Sequence, residues 1–193
     1  MNHSEFKAIT GELKLQIIIL TVFVGGMWLL EIADFLFWHG RLNAYGIRPR
    51  TLIGLRGILF APFLHGNFPH LIANTLPFIS FAWLIMLDEI RYFWIVTSLT
   101  LFISGFGVWL IGESNSVHIG ASGLIFGYFG FLLFRGLFSR RFLSLLLSLT
   151  VGVFYGSLIW GVLPVQPGVS WEGHLFGLVG GVITAKLLAE SHS

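Results

Sequence analysis

"GASGLIFGYFGFLLFRGLFSRR", residues 120 to 141, opens on glycines around a serine, continues through an apolar stretch and stops at paired arginines. From Gly123 to about Phe138 it reads as a membrane-spanning helix, with a hydroxyl, Ser122, set at its first turn. The rest of the 193-residue chain has the same character. It is 55% hydrophobic and 10% charged, with a mean hydropathy of +0.86. A soluble domain of this size has no interior large enough for that much apolar surface. The composition therefore predicts an integral membrane protein.

Working outward, runs of roughly 20 apolar residues separated by charge or turn signals mark six spans. They lie at about Leu15 to Trp38, His70 to Leu87, Tyr92 to Ile111, Gly123 to Phe138, Phe142 to Val162 and Glu172 to Ala189. The breaks are "DEIR" (88 to 91), "GESNSVHIG" (112 to 120), "SRR" (139 to 141) and "LPVQPGVS" (163 to 170). The expected fold is an all-α, polytopic bundle of six transmembrane helices forming a single membrane domain over residues 1 to 193. The long connection 39 to 69 mixes arginine, glycine and proline with apolar residues and is expected to pack against or partly into the bilayer. The first apolar run follows a polar stretch, Met1 to Lys14, has no small-residue cleavage site, and reads as a retained helix.

An even number of spans puts both termini on one side. Lys7, Lys14, Arg91, Arg135, Arg140, Arg141 and Lys186 share that side, whereas Arg41, Arg48, Arg50 and Arg56 all fall in the first connection. The positive-inside bias predicts cytoplasmic termini, and the compact plan suits a prokaryotic plasma membrane. Absence of cysteine excludes disulfides and thiolate metal sites. A net charge of +2, dispersed along the chain, gives no footprint for nucleic acid.

Polar side chains at membrane depth are functional candidates by default. "FLHGNFPHLIANT" brings His65, His70 and Asn74 into the second span, "GASG" brings Ser122 into the fourth, and "WEGHLFGLVGG" brings His174 into the sixth. Even-numbered spans start from the same side, so all three groups converge near the extracytoplasmic face. The fourth span, about 24 Å long at roughly 1.5 Å per residue, is shorter than the roughly 30 Å hydrocarbon core. With its other end pinned by Arg140 and Arg141, Ser122 lies below the outer surface, and the preceding loop must dip inward into protein or a wet cavity.

These groups match the needs of acyl transfer. A serine hydroxyl needs a base, and His174 is the candidate. Free N–H groups at the first turn of the fourth helix, around Ser122 and Gly123, can stabilise an oxyanion. His70 and Asn74, spaced i, i+4, share a helix face and can add donors to the same oxygen. Gly177 and Gly181 extend the His174 stripe, and Gly123, Gly127 and Gly130 mark the fourth helix; such faces let backbones approach closely in lipid. A hydroxyl-to-imidazole separation of roughly 2.6 to 3.5 Å is expected. Each feature also has a structural reading: "GASG" as a packing surface, His174 and Asn74 as interhelical hydrogen-bonders, His65 as an organiser of the first connection, Arg56 as its anchor. Glu31 and Asp34, near the end of the first span, read either as reaching the interface or, more sharply, as a proton relay. Glu172 stands two residues before His174, which points the two side chains apart and favours a dyad over a triad.

Taken together, H-x-x-x-x-H-x-x-x-N, G-x-S-G and a glycine-striped histidine helix, in this order, resemble the rhomboid family of intramembrane serine proteases. The carriers are "HGNFPHLIAN", "GASG" and "GHLFGLVGG", and "GIRPRTLIGLRGILFAPFLH" is similar to the family's long first loop. The resemblance implies a six-helix rhomboid-like bundle with Ser122 as nucleophile and His174 as general base. It implies an oxyanion hole from His70, Asn74 and the Ser122 N–H, with Phe126 stacking on the catalytic histidine. His65, Gly120, Gly123, Gly177 and Gly181 are supporting positions. Many relatives carry alanine where Gly173 stands. Implied substrates are transmembrane proteins cleaved in or beside their membrane helices, with no metal or cofactor. The competing classes are a non-catalytic membrane-helix-binding rhomboid-like protein, and a small transporter; against the latter, no chain of ionisable residues crosses to the cytoplasmic side.

Overall fold

The computed structural model describes residues 3 to 165 and 168 to 190; Gln166 and Pro167, in the expected fifth connection, lie outside the described residues. It contains α1 (His3–Ala33), a short α2 (Gly57–Phe60), α3 (Phe68–Asp88), α4 (Ile90–Ile111), α5 (Ser122–Ser139), α6 (Phe142–Tyr155) and α7 (Trp171–Glu190). Six helical segments are long and apolar enough to cross a membrane: Ser4–Trp38, Phe68–Asp88, Ile90–Ile111, Ser122–Ser139, Phe142–Val162 and Trp171–Glu190. The architecture is an all-α, six-span bundle, as the hydropathy predicts. The polar residues before Leu15 are also helical, continuing α1 backwards, because helix formation there needs no apolar face and no proline interrupts it. At its far end α1 passes into a π-helical turn, Asp34–Trp38, closed by His39 in the left-handed conformation. Asp34, buried there, accepts a hydrogen bond from Leu42 N–H at 3.1 Å and fixes the chain's exit into the first connection.

α5 is the most thoroughly buried span, flanked by α3, α4, α6 and α7. It packs most closely on α7. At 18 residues, about 27 Å, it is shorter than the hydrocarbon core. The core beside it is largely aromatic: Phe78, Phe81, Phe93, Tyr128, Phe129 and Phe131 are all fully buried. Near its Arg140 end, the buried guanidinium of Arg135 meets Asp88 at 3.3 Å and the Tyr92 hydroxyl at 3.3 Å, so the charge does not sit unpaired in the bundle.

The long connection folds into a series of short helices, with 3-10 turns at Arg41–Tyr45, Ile53–Arg56 and Ala61–Phe63 around α2. Ile47, Ile58 and Ala61 pack inward on Val108 of α4, while Leu52, Ile53, Leu59 and Phe60 face outward. Arg56 stacks over the Tyr45 ring at 4.4 Å and so serves the connection itself. The loop 112 to 121 packs against this connection. Ile47 and His118 exchange a pair of backbone hydrogen bonds at 2.9 Å, and Gly120 N–H donates to Ala61 O at 2.8 Å. These bonds give the irregular backbone of the loop partners in the connection.

Candidate active site

The loop ends at Gly120, whose φ of +110° suits glycine and which faces the Cε1–Nε2 edge of the His70 ring. A β-carbon there would come within 2.8 Å of His70 Nε2. Ala121 then leads into α5 without a side-chain cap. The first intrahelical bond is Ile125 N–H to Ala121 O, so the amides of Ser122, Gly123 and Leu124 have no partner within the helix. The helix start thus presents open N–H groups and the positive end of its dipole at the serine.

Across from it, the glycines set the distance between α5 and α7. A β-carbon on Gly177 would overlap the Gly123 carbonyl oxygen, and one on Gly181 would overlap the Gly127 carbonyl and lie 2.7 Å from Phe131 N. Only glycine permits this approach. The first turns of both helices are thereby in contact, and a β-carbon on Gly123 would sit 3.5 Å from Gly173 O. Ser104 of α4 tightens the same point by donating to Gly173 O at 2.8 Å.

His174 is buried and held on two sides. Phe126, one turn below Ser122 on the same face of α5, lies flat against its ring, centroids 4.0 Å apart and planes within 6°. The His174 Nδ1–H donates to Gly161 O at 2.8 Å. Because a carbonyl only accepts, Nδ1 carries the proton and Nε2 is left with its lone pair, the form a general base requires. Gly161 is a positioning residue that sequence reasoning misses. A β-carbon there would fall 2.6 Å from Phe126 Cζ and 3.4 Å from His174 Nδ1. Nothing in "LIWGVLP" marks it, since its contribution is a main-chain carbonyl. Glu172 is buried in the first turn of α7 and takes no part in orienting His174, whose Nδ1 is occupied by Gly161.

Among the described residues no hydrogen bond within 3.5 Å joins the Ser122 hydroxyl to His174. The His174 ring itself is held by Phe126 and Gly161.

On α3, Asn67 accepts from His70 N–H at 2.8 Å and caps the helix. Asn74 donates one amide hydrogen to His70 O at 2.9 Å, leaving the other for a second acceptor. His65 packs edge-on against His70 at 5.0 Å, is only 1% exposed, and has no partner for either ring nitrogen among the described residues. Burial, then the neighbouring His70, pushes the His65 imidazole down to about 4. A cavity of about 40 Å³ lies beside Ser122, with Ser104, His118 and Ser170 among its polar lining. That is room for water at the serine.

Comparison with known proteins adds an independent line. Residues 54–191 match the Rhomboid domain family. An uncharacterised protein of Mycobacterium tuberculosis is 44% identical over 178 residues, covering 88% of this chain and 74% of its own. One of Mycobacterium leprae is 42% identical over 178 residues, covering 88% and 70%. A Bacillus subtilis protein, provisionally named a rhomboid protease, is 32% identical over 134 residues, covering 66% and 64%. With six membrane spans and a family match across most of its length, this integral membrane protein belongs to the rhomboid family.

Proposed function

We propose that the chain is an intramembrane serine endopeptidase that cuts membrane proteins in or next to their transmembrane segments, using Ser122 and His174. The observation that carries this reading is the placement of His174: its Nδ1 lies 2.8 Å from Gly161 O, which assigns the proton to Nδ1 and leaves Nε2 as the basic nitrogen, and its ring lies flat on Phe126, on a helix whose first turn abuts that of Ser122. In the proposed reaction a locally unwound substrate segment places its carbonyl at Ser122. Nε2 takes the hydroxyl proton as Oγ bonds to the carbonyl carbon. The oxyanion is met by the open Ser122 amide, with His70 and Asn74 as further donors. Collapse breaks the C–N bond, the proton on Nε2 passes to the leaving amine, and an acyl-serine ester remains. Water, deprotonated by the same nitrogen, hydrolyses the ester to a carboxylic acid and restores the hydroxyl. No step calls for a metal or organic cofactor.

The same reading places the site near the extracytoplasmic face of a prokaryotic plasma membrane, with both termini cytoplasmic and substrate approaching from the lipid. Ser122→Ala is expected to abolish peptide cleavage while leaving the melting temperature near that of the wild type; continued proteolysis by that variant would refute the assignment. The unmade Ser122 to His174 hydrogen bond favours one alternative, a non-catalytic membrane-helix-binding protein. A fluorophosphonate separates the two, because the protease transfers phosphorus to Ser122 with loss of fluoride and the binder stays unlabelled.

A further inference from the structure

A second histidine, outside the dyad, ties the two halves of the site together. His118 precedes Ser122 by four residues and Ser170 precedes His174 by four. Ser116 Oγ lies 2.6 Å from Glu113 O and 2.7 Å from His118 Nε2, and His118 Nδ1 lies 2.7 Å from Ser170 Oγ. The directions follow from the chemistry. The carbonyl can only accept, so the single Ser116 hydroxyl proton goes to Glu113 O, and Ser116 Oγ must accept from His118 Nε2–H. In the neutral ring Nδ1 is then bare, and Ser170 donates to it. Burial outweighs the nearby Glu172 and Glu113 carboxylates in pulling the His118 imidazole below its usual range, which favours that neutral form.

Ser170 is no incidental partner. Its carbonyl accepts the His174 N–H at 3.2 Å, so it is the residue from which α7 starts. His118 is equally anchored, through the paired backbone bonds to Ile47. The Ser122 loop and the His174 helix, joined by glycine contacts lower down, are thus bridged at their upper ends by one imidazole. Resting on the protease reading above, we infer that His118 is a positioning residue that sets the approach of Ser122 to His174 by holding the loop 112 to 121 against Ser170 at the start of α7.

The test uses the full-length protein in detergent and a fluorophore-bearing alkyl fluorophosphonate, read as the maximal labelling rate of Ser122, the half-saturating probe concentration and the melting temperature. His118→Ala and Ser170→Ala are each expected to lower the maximal rate by about 10- to 100-fold, the scale of a misplacement of roughly 1 Å, without moving the half-saturating concentration. The double variant should be no slower than either single one, since both remove the same link. His118→Asn, whose Oδ1 stands in for Nδ1, should recover most of the rate. His118→Gln, which keeps only the donor toward Ser116, should not. A stabilising role alone would lower the melting temperature and leave the labelling rate of the folded fraction unchanged. That result, or wild-type rates in both His118→Ala and Ser170→Ala, overturns the inference. If His118→Ala does not fold, Ser170→Ala, which deletes one oxygen, decides between the same outcomes. A folded wild type that neither labels nor cleaves overturns the protease reading and this inference together, whereas an active wild type with unaffected variants overturns the inference alone.

Discussion

Replacing Gly177 by alanine tests the backbone contact on which the site geometry depends. The added methyl would overlap the Gly123 carbonyl oxygen and lie 3.1 Å from its carbon and 3.4 Å from Gly123 Cα. Ordinary contacts are about 3.5 Å or more, so α5 and α7 must part by about 1 Å at this level. Ser122 is the neighbour of Gly123, and His174 is one turn from Gly177, so the separation passes to the reacting groups almost undiminished. A displacement of that size costs about 100-fold in rate, or about 2.7 kcal/mol of transition-state stabilisation. Stability should suffer less: overpacking costs about 1–3 kcal/mol, and exchanging a helical glycine for alanine returns up to about 1 kcal/mol. Gly25→Ala is the matched control, since its methyl meets nothing within 4 Å. Fluorophosphonate labelling and thermal denaturation in detergent would be measured side by side. Wild-type labelling and unchanged stability in Gly177→Ala would refute the reasoning, because the two backbones would then not be in contact.

Two further outcomes are expected. His65 is neutral in the folded protein down to about pH 4, against a usual imidazole value of 6.5, so the unfolded chain binds more protons between these values. Stability is therefore full above pH 6.5 and falls by up to about 3 kcal/mol as pH drops toward 4. Denaturation midpoints across this range should show a shallower acid limb in His65→Phe; an unchanged slope would remove His65 as its source. Phe126→Leu keeps an apolar side chain but loses the flat stack on His174. It should lower the labelling rate by up to about tenfold while costing less than about 1.5 kcal/mol in a melting assay.

Much of the bundle is legible in the order of residues because lipid imposes a length on every apolar run and a cost on every polar group within it. The run from Ser122 to Arg140 carries its own start, depth and stop, and the parity of the spans places His70, Ser122 and His174 toward one face before any coordinate is known. The glycines of α5 and α7 announce close packing by composition, though not which pairs meet. The helical extension of α1 before Leu15 escapes the same reasoning because a polar helix leaves no trace in hydropathy.

The sequence by itself determined a six-span membrane protein, since periodicity and hydropathy act along the chain, and it marked Ser122, His65, His70, His174 and Asn74 as candidates expected near one face. Only the tertiary structure decided which nitrogen of His174 is basic, because that depends on the carbonyl of Gly161, whose side chain carries no chemical signal. It also decided that His118 belongs beside the site and that the Ser122 to His174 hydrogen bond is unmade. Such contacts join residues distant along the chain through main-chain atoms and lone pairs, and they exist only once the helices have packed.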